Sequence, residues 1–282
     1  MGSRFLPHVY RWCRRRRIPF VAYVGTAHSL DSNFKSKVMN ALFAAGTLRI
    51  YKKNPVLAKT SAAKEELRQL GVPHAVIAPV GLDTAVLKKN IPADEKMRLR
   101  KEHGFEADDV ILCNVSRLSW EKRPLELIDL FLQVKGKKKF KLIIVGNGPL
   151  EEELNEKIRK NGLEKEVKIY PNVPYEKMWE IYEMSDYYLN MNKGEIFGMA
   201  IMEAVYYKTS VAAIRALGPS VTLKDMKGHK LCENDDEMAE WITGPYPSEK
   251  DLQESSEKMA STFTWDRCAD AFLQASSEKS SR

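Results

Sequence analysis

Ile111-Leu112-Cys113-Asn114-Val115 is a short apolar block bounded by polar residues, and it runs straight into Ser116-Arg117-Leu118-Ser119-Trp120-Glu121-Lys122-Arg123-Pro124. A block of this kind reads as a strand buried on both faces, the signature of a parallel sheet. Further apolar blocks at 141–145, 166–170, 187–191 and 210–214 alternate with helical patterns at 121–134, 149–161, 175–184 and 197–207. That rhythm predicts an α/β domain in which helices wrap a parallel sheet. Such sheets bind ligands outside the carboxyl ends of their strands. Arg117, Gly146, Asn172 and Glu195 each follow a predicted strand, so one edge of the sheet gathers all four loops. The turn Pro171-Asn172-Val173-Pro174 follows the predicted strand at 166–170 on the same edge.

Two patterns on that edge suggest chemistry. Arg117 and Lys122 lie in the turn after the first of these strands, where fixed cations would stabilise the negative charge that builds on a departing diphosphate. The alternative is two solvated basic residues in a loop. Further on, Glu195-Ile196-Phe197-Gly198-Met199-Ala200-Ile201-Met202-Glu203 sets two carboxylates around a glycine at the mouth of an apolar helix. If the helix opens near Phe197 and Gly198, the unpaired amides from Phe197 to Ala200 form an anion site. On a continuous helix eight residues rise ~12 Å, about the distance from the hydroxyls of a hexose to those of a nucleotide ribose. The alternative is two solvated acids on the helix surface. No Asp-x-Asp pair for a metal-bound diphosphate occurs in the chain, which gives the cation pair more weight.

Taken together these segments resemble the family 4 retaining glycosyltransferases of the GT-B, two-Rossmann-domain type. The resemblance extends through Leu142-Ile143-Ile144-Val145-Gly146-Asn147-Gly148-Pro149, Glu203-Ala204, Lys208-Thr209-Ser210-Val211-Ala212-Ala213, Gly228 and Phe263-Thr264-Trp265, in order and at matching spacing. The chain departs from the family at Ile196, where glycine is usual, at Asn147, often Asp, and at Lys208-Thr209-Ser210 in place of Gly-Thr-Pro. The resemblance implies transfer of a sugar from a nucleoside diphosphate to a hydroxyl acceptor, lipid-linked or glycan, with retention and without a metal or other cofactor, in polysaccharide or glycoconjugate synthesis. Arg117 and Lys122 would hold the diphosphate, Phe197, Gly198, Met199 and Ala200 would cap it, Glu203 would hold the ribose and Asn172 would face the base. Glu195 would bind the donor-sugar hydroxyls as a catalytic residue. His28, just past the predicted strand at 20–24, matches the family's histidine near the reacting sugar; an ordinary loop histidine is the alternative.

The domain expectations follow. Residues 109–262 form a complete nucleotide-sugar-binding Rossmann-like domain, 84–108 the connection between domains, and 263–282 a C-terminal helix and tail. Residues 1–83 form a partial N-terminal, acceptor-side Rossmann-like domain. This last segment offers three strand candidates, at 20–24, 56–60 and 75–79, with helices near 33–45 and 62–70. By the resemblance they match the second half of the family's first domain, so the chain reads as a fragment or as one part of a split enzyme. A sugar-nucleotide epimerase of the same architecture and a non-catalytic transferase subunit are the competing functions.

Composition narrows the classes further. The 282 residues carry a net charge of +7, which favours anionic partners. Basic residues are interspersed with acids and no nucleic-acid-binding signature is present, so nucleic acid is not expected as a partner. Four dispersed cysteines, Cys13, Cys113, Cys232 and Cys268, fit neither a disulfide scaffold nor a zinc site. No apolar run reaches the ~18 residues needed to span a bilayer, and the expected location is cytoplasmic. The cluster Arg11, Arg14, Arg15, Arg16 and Arg17 near Phe5 and Trp12 reads as the C-terminal end of a helix, with peripheral contact to an anionic membrane as the other reading.

Overall fold

The structure is a computed structural model that describes residues 5–25 and 46–277. The chain divides into two compact units, Leu82–Thr262 and Met1–Gly81 with Phe263–Arg282.

The larger unit is built on a six-stranded parallel sheet of order β6-β5-β4-β7-β8-β9. Its strands are β4 (Val110–Val115), β5 (Phe140–Val145), β6 (Val167–Tyr170), β7 (Tyr187–Asn190), β8 (Ser210–Ile214) and β9 (Lys230–Cys232). The first five lie where the apolar blocks put them. The sixth, β9, is three residues long and begins with a lysine, so its sequence carries no apolar run to find. On one face Leu112, Leu142, Ile144, Leu189 and Ala212 pack against Leu127 and Phe131 of helix Pro124–Val134, Leu154 of helix Glu151–Lys160, and Met238 and Ile242 of helix Asp235–Thr243. Two predicted helices are each preceded by a separate 3₁₀ turn, Trp120–Lys122 and Tyr175–Lys177. In the first case Arg123 takes a left-handed conformation, φ 56°, that breaks the run just before Pro124.

The segment expected as a connection, 84–108, packs inside this unit. Its helix Glu95–Glu102 is tied to β7 through Asp186, which receives Arg100 Nη2 at 2.7 Å, Lys96 Nζ at 2.9 Å and the backbone N–H of Ile111 at 2.8 Å.

In the smaller unit β1 (Ala22–Val24), β2 (Val56–Ala58) and β3 (Val76–Ile77) form a parallel sheet in that order. Each strand falls within its predicted segment but is shorter; the predicted helix at 33–45 lies outside the described residues. Helix Ser61–Gln69 is capped by Thr60, whose hydroxyl accepts the Ala63 N–H at 3.0 Å. The chain returns from the larger unit at Phe263, and helix Trp265–Ser277 packs Cys268, Ala271 and Ala275 against Leu57 and Ala78. A Cβ at Gly81 would stand 2.2 Å from the backbone N of Trp265, so this close approach of two chain segments admits only glycine. Helix Leu6–Arg15 carries Arg14 and Arg15 in its last turn, where they offset the helix dipole.

Candidate functional site

Strand order fixes where a ligand can enter the larger sheet. From β4 the chain moves one way through β5 and β6, then crosses to β7, β8 and β9 on the other side. The crevice at this reversal opens between the loops that follow β4 and β7, the usual binding place in an open α/β sheet.

Neighbouring loops are locked to one another there. Gly146 and Gly148 have φ of 135° and 158°, and a Cβ on either would meet a backbone oxygen, Ser116 at 2.0 Å or Leu118 at 2.4 Å. The turns after β4 and β5 therefore lie backbone against backbone. The Leu118 N–H donates to Asn147 O at 2.8 Å, and Asn147 Nδ2 donates to Asn172 Oδ1 at 3.0 Å, which brings in the turn after β6.

Across the reversal Lys122 Nζ stands 2.9 Å from Glu195 Oε2, and Asn192 Nδ2 donates to the same oxygen at 3.0 Å. Burial pushes the Glu195 carboxyl up, but the hydrogen bond and charge of Lys122, with the amides of Asn192 and Asn190, pull it further down, so it lies below the ordinary carboxylate value. It is held ionised. Arg117, by contrast, is 70 % exposed and pairs with Glu121 at 3.3 Å. The structure thus brings Lys122 and Glu195 together and leaves Arg117 on the outer side of its turn.

Residues 195–198 are a loop, and the helix runs Met199–Tyr206. The rise of a continuous helix therefore does not set the separation of the two glutamates. Gly198 is the reason: as N-cap it takes φ 88°, ψ 64°, a left-handed geometry that closes the preceding turn before the helix begins. No side chain caps this end, so the amides of the first turn point outward as an anion site would need. Phe197 and Gly198 are buried, Ala200 is half-buried and Met199 is exposed. A Cβ at Gly218 would come within 2.5 Å of the Phe197 backbone N, and the Gly218 N–H donates to Glu195 O at 2.8 Å. Helix Leu217–Thr222 so pins the loop from beneath.

Glu203 is buried on helix Met199–Tyr206. Tyr182 Oη donates to Oε2 at 2.7 Å and Tyr175 Oη to Oε1 at 3.4 Å. Burial raises its pKa, outweighing the two phenols. His28 lies outside the described residues, and among those described no group of three or more His, Cys, Asp or Glu is arranged to hold a metal ion.

Sequence reasoning missed Asn192, Gly218, Tyr175 and Tyr182. The two tyrosines are seven apart in a helical pattern, a spacing that puts side chains on one face, and this was the signal available.

The family model for glycosyl transferases group 1 matches residues 95–259, more than half of the chain and all of the site. The chain belongs to that family. It is 26% identical over 297 aligned residues to the D-inositol 3-phosphate glycosyltransferase of Mycobacterium avium, an alignment covering 93% of this chain and 65% of the relative. It is 34% identical over 112 residues to the amylovoran biosynthesis glycosyltransferase AmsD of Erwinia amylovora, covering 39% of this chain and 31% of that one. The chain thus spans just under two thirds of the length of the mycobacterial relative. Among solved structures, Anabaena Alr3699/HepE in complex with UDP superposes with a TM-score of 0.76 at 19% identity, over 98% of this chain and 76% of that one. The fold of this glycosyl transferases group 1 chain is therefore α/β of the GT-B type.

Proposed function

We propose that this chain binds a nucleoside diphosphate sugar and transfers the sugar to a hydroxyl acceptor with retention, as a family 4-type glycosyltransferase. The observation that carries this is the Lys122–Glu195 pair at the strand-order reversal, in the loop that leads into the uncapped amino end of helix Met199–Tyr206. A diphosphate there meets Lys122 and the first-turn amides of the helix. Lys122 then shares its charge between phosphate and Glu195. Because Glu195 is held ionised, it accepts hydrogen bonds from the donor-sugar hydroxyls, while Glu203 accepts those of the ribose. Asn172 borders the base. Arg117 reaches the phosphates by giving up its exposed contact with Glu121.

In the transfer step the bond from the anomeric carbon to the phosphate oxygen breaks, and a bond to the acceptor oxygen forms on the same face. The acceptor proton passes to the departing phosphate, and no enzymic nucleophile is consumed. Growing charge on the leaving group is met by Lys122 and the helix amides, which stabilise the transition state more than the ground state. In this scheme no metal is needed. The named functions of the relatives, an inositol phosphate glycosyltransferase and an amylovoran biosynthesis enzyme, support a hydroxyl acceptor in glycoconjugate or polysaccharide synthesis.

The test is calorimetry with UDP, GDP and ADP, followed by product analysis with a matching nucleotide sugar. Saturable binding of one diphosphate, unaffected by EDTA, is the expected result. The absence of binding to all three would end the proposal.

A further inference from the structure

Two phenols hold the Glu203 carboxylate, and they are not equivalent. Tyr182 is fully buried, and its ring stacks on Tyr207 at 5.9 Å and packs beside Tyr188 at 6.2 Å. Its 2.7 Å hydrogen bond to Oε2 cannot be given up without disturbing the core. Tyr175 is 46% exposed, sits on the single 3₁₀ turn Tyr175–Lys177 directly after Pro174, and reaches Oε1 at 3.4 Å. That distance is long for an O–H···O bond, whose usual range is about 2.5–3.0 Å. One partner is fixed and strong, the other peripheral and weak.

A ribose presents two adjacent hydroxyls, and a carboxylate receives such a diol best with one donor on each oxygen. Oε2 has Tyr182 permanently on one of its lone pairs and keeps the other. On the same carboxylate, Oε1 is reached by the exposed Tyr175. Resting on the donor-site reading above, we propose that Tyr175 is an exchangeable occupant of the ribose position. Its hydroxyl holds Glu203 Oε1 in the free protein and yields that oxygen to a ribose hydroxyl when the nucleoside diphosphate binds. Tyr175 is then a positioning residue that tunes donor affinity and keeps a buried carboxylate hydrogen-bonded while the site is empty. The physical reason for such a device is that an acceptor buried without a partner is costly.

The exchange is tested with the full chain and its Tyr175→Phe variant, which keeps the ring and removes only the hydroxyl. Dissociation constants are measured by calorimetry for UDP and GDP and for their 2′,3′-dideoxy forms, with melting temperatures confirming that both proteins are folded. Exchange predicts that Tyr175→Phe binds the ribonucleotide about 3- to 10-fold more tightly, the weight of one long, weak hydrogen bond that no longer has to be broken. The dideoxy form should bind both proteins equally. Equal shifts for both nucleotide forms, no shift for either, or weaker ribonucleotide binding in the variant would each overturn the exchange while leaving the donor site standing. If neither protein binds any ribonucleoside diphosphate, the donor-site reading itself fails and the exchange falls with it.

Discussion

Lys122 and Glu195 are 73 residues apart in sequence and 2.9 Å apart in space, joined across the reversal of strand order between β4 and β7. Both side chains are largely shielded from water, at 25% and 16% exposure, so the attraction is screened less than at an open surface. Glu195 offsets the charge of Lys122; on the proposed reading, donor binding shares Lys122 with phosphate. Lys122→Ala removes both functions. Transfer should fall about 10²- to 10³-fold, as when a single oxyanion donor is lost. The Glu195 carboxyl should rise as well, because burial then acts on it without the cation. Steady-state kinetics against pH would show a lower kcat together with a new acid-side inflection. Wild-type turnover would remove Lys122 from the mechanism.

Arg117→Ala separates reach from resting position. The side chain is exposed and its contact with Glu121 spans one helical turn of sequence, so deletion should change stability by no more than ~0.5 kcal/mol. If Arg117 swings onto the phosphates, turnover drops with little change in melting temperature. If both stay unchanged, Lys122 and the helix amides carry the charge alone.

Gly218→Ala tests the support beneath the clamp. The added methyl would sit 2.5 Å from backbone N of Phe197, so the 195–198 loop must shift. Overpacking of this kind costs about 1–3 kcal/mol, and donor affinity should fall with it. Gly136 has a positive φ of 86° but open space around its Cβ position; Gly136→Ala should therefore cost only the backbone strain of ~1–2 kcal/mol and leave donor affinity intact. Matching losses of affinity in both variants would show that the loop is not specifically pinned by Gly218.

Much of the larger unit could be read in advance because a parallel strand buried on both faces is a mostly apolar run, as at Val110–Val115 and Phe140–Val145. β9 escaped because three residues headed by Lys230 make no such run. Of the candidate site, placement on one sheet edge was legible, since it follows from strand ends alone. Pairing was not. Residue type assigns Lys122 and Glu195 separate partners, phosphate and sugar, and their direct contact depends on which strands are neighbours. The phenols on Glu203 come from 21 and 28 residues away, and their shared helical spacing carries no sign of which acid they meet. The ~12 Å spacing of the glutamates failed at Gly198, whose positive φ delays the helix to Met199.

His229 gives a pH dependence of stability with a definite sign. Its Nδ1 accepts the Val211 N–H at 3.0 Å, its Nε2 is buried without a partner, and burial pushes the imidazole down to about 4. The unfolded chain binds this proton at about 6.5, so between those values the unfolded state holds more protons than the folded one, and stability falls as pH falls through that window. A depression of this size corresponds to about 3 kcal/mol lost from neutral pH to below 4. Glu203 acts with the opposite sign: its carboxyl is raised, and its contribution is lost as pH rises through the folded value. The difference between two proteins isolates the histidine. Urea melts of wild type and His229→Gln at pH 7.5 and pH 5 should show a steeper loss in wild type, because Gln keeps an acceptor for Val211 but has no proton to gain. Parallel losses in the two proteins would mean that the imidazole is not held neutral by its surroundings.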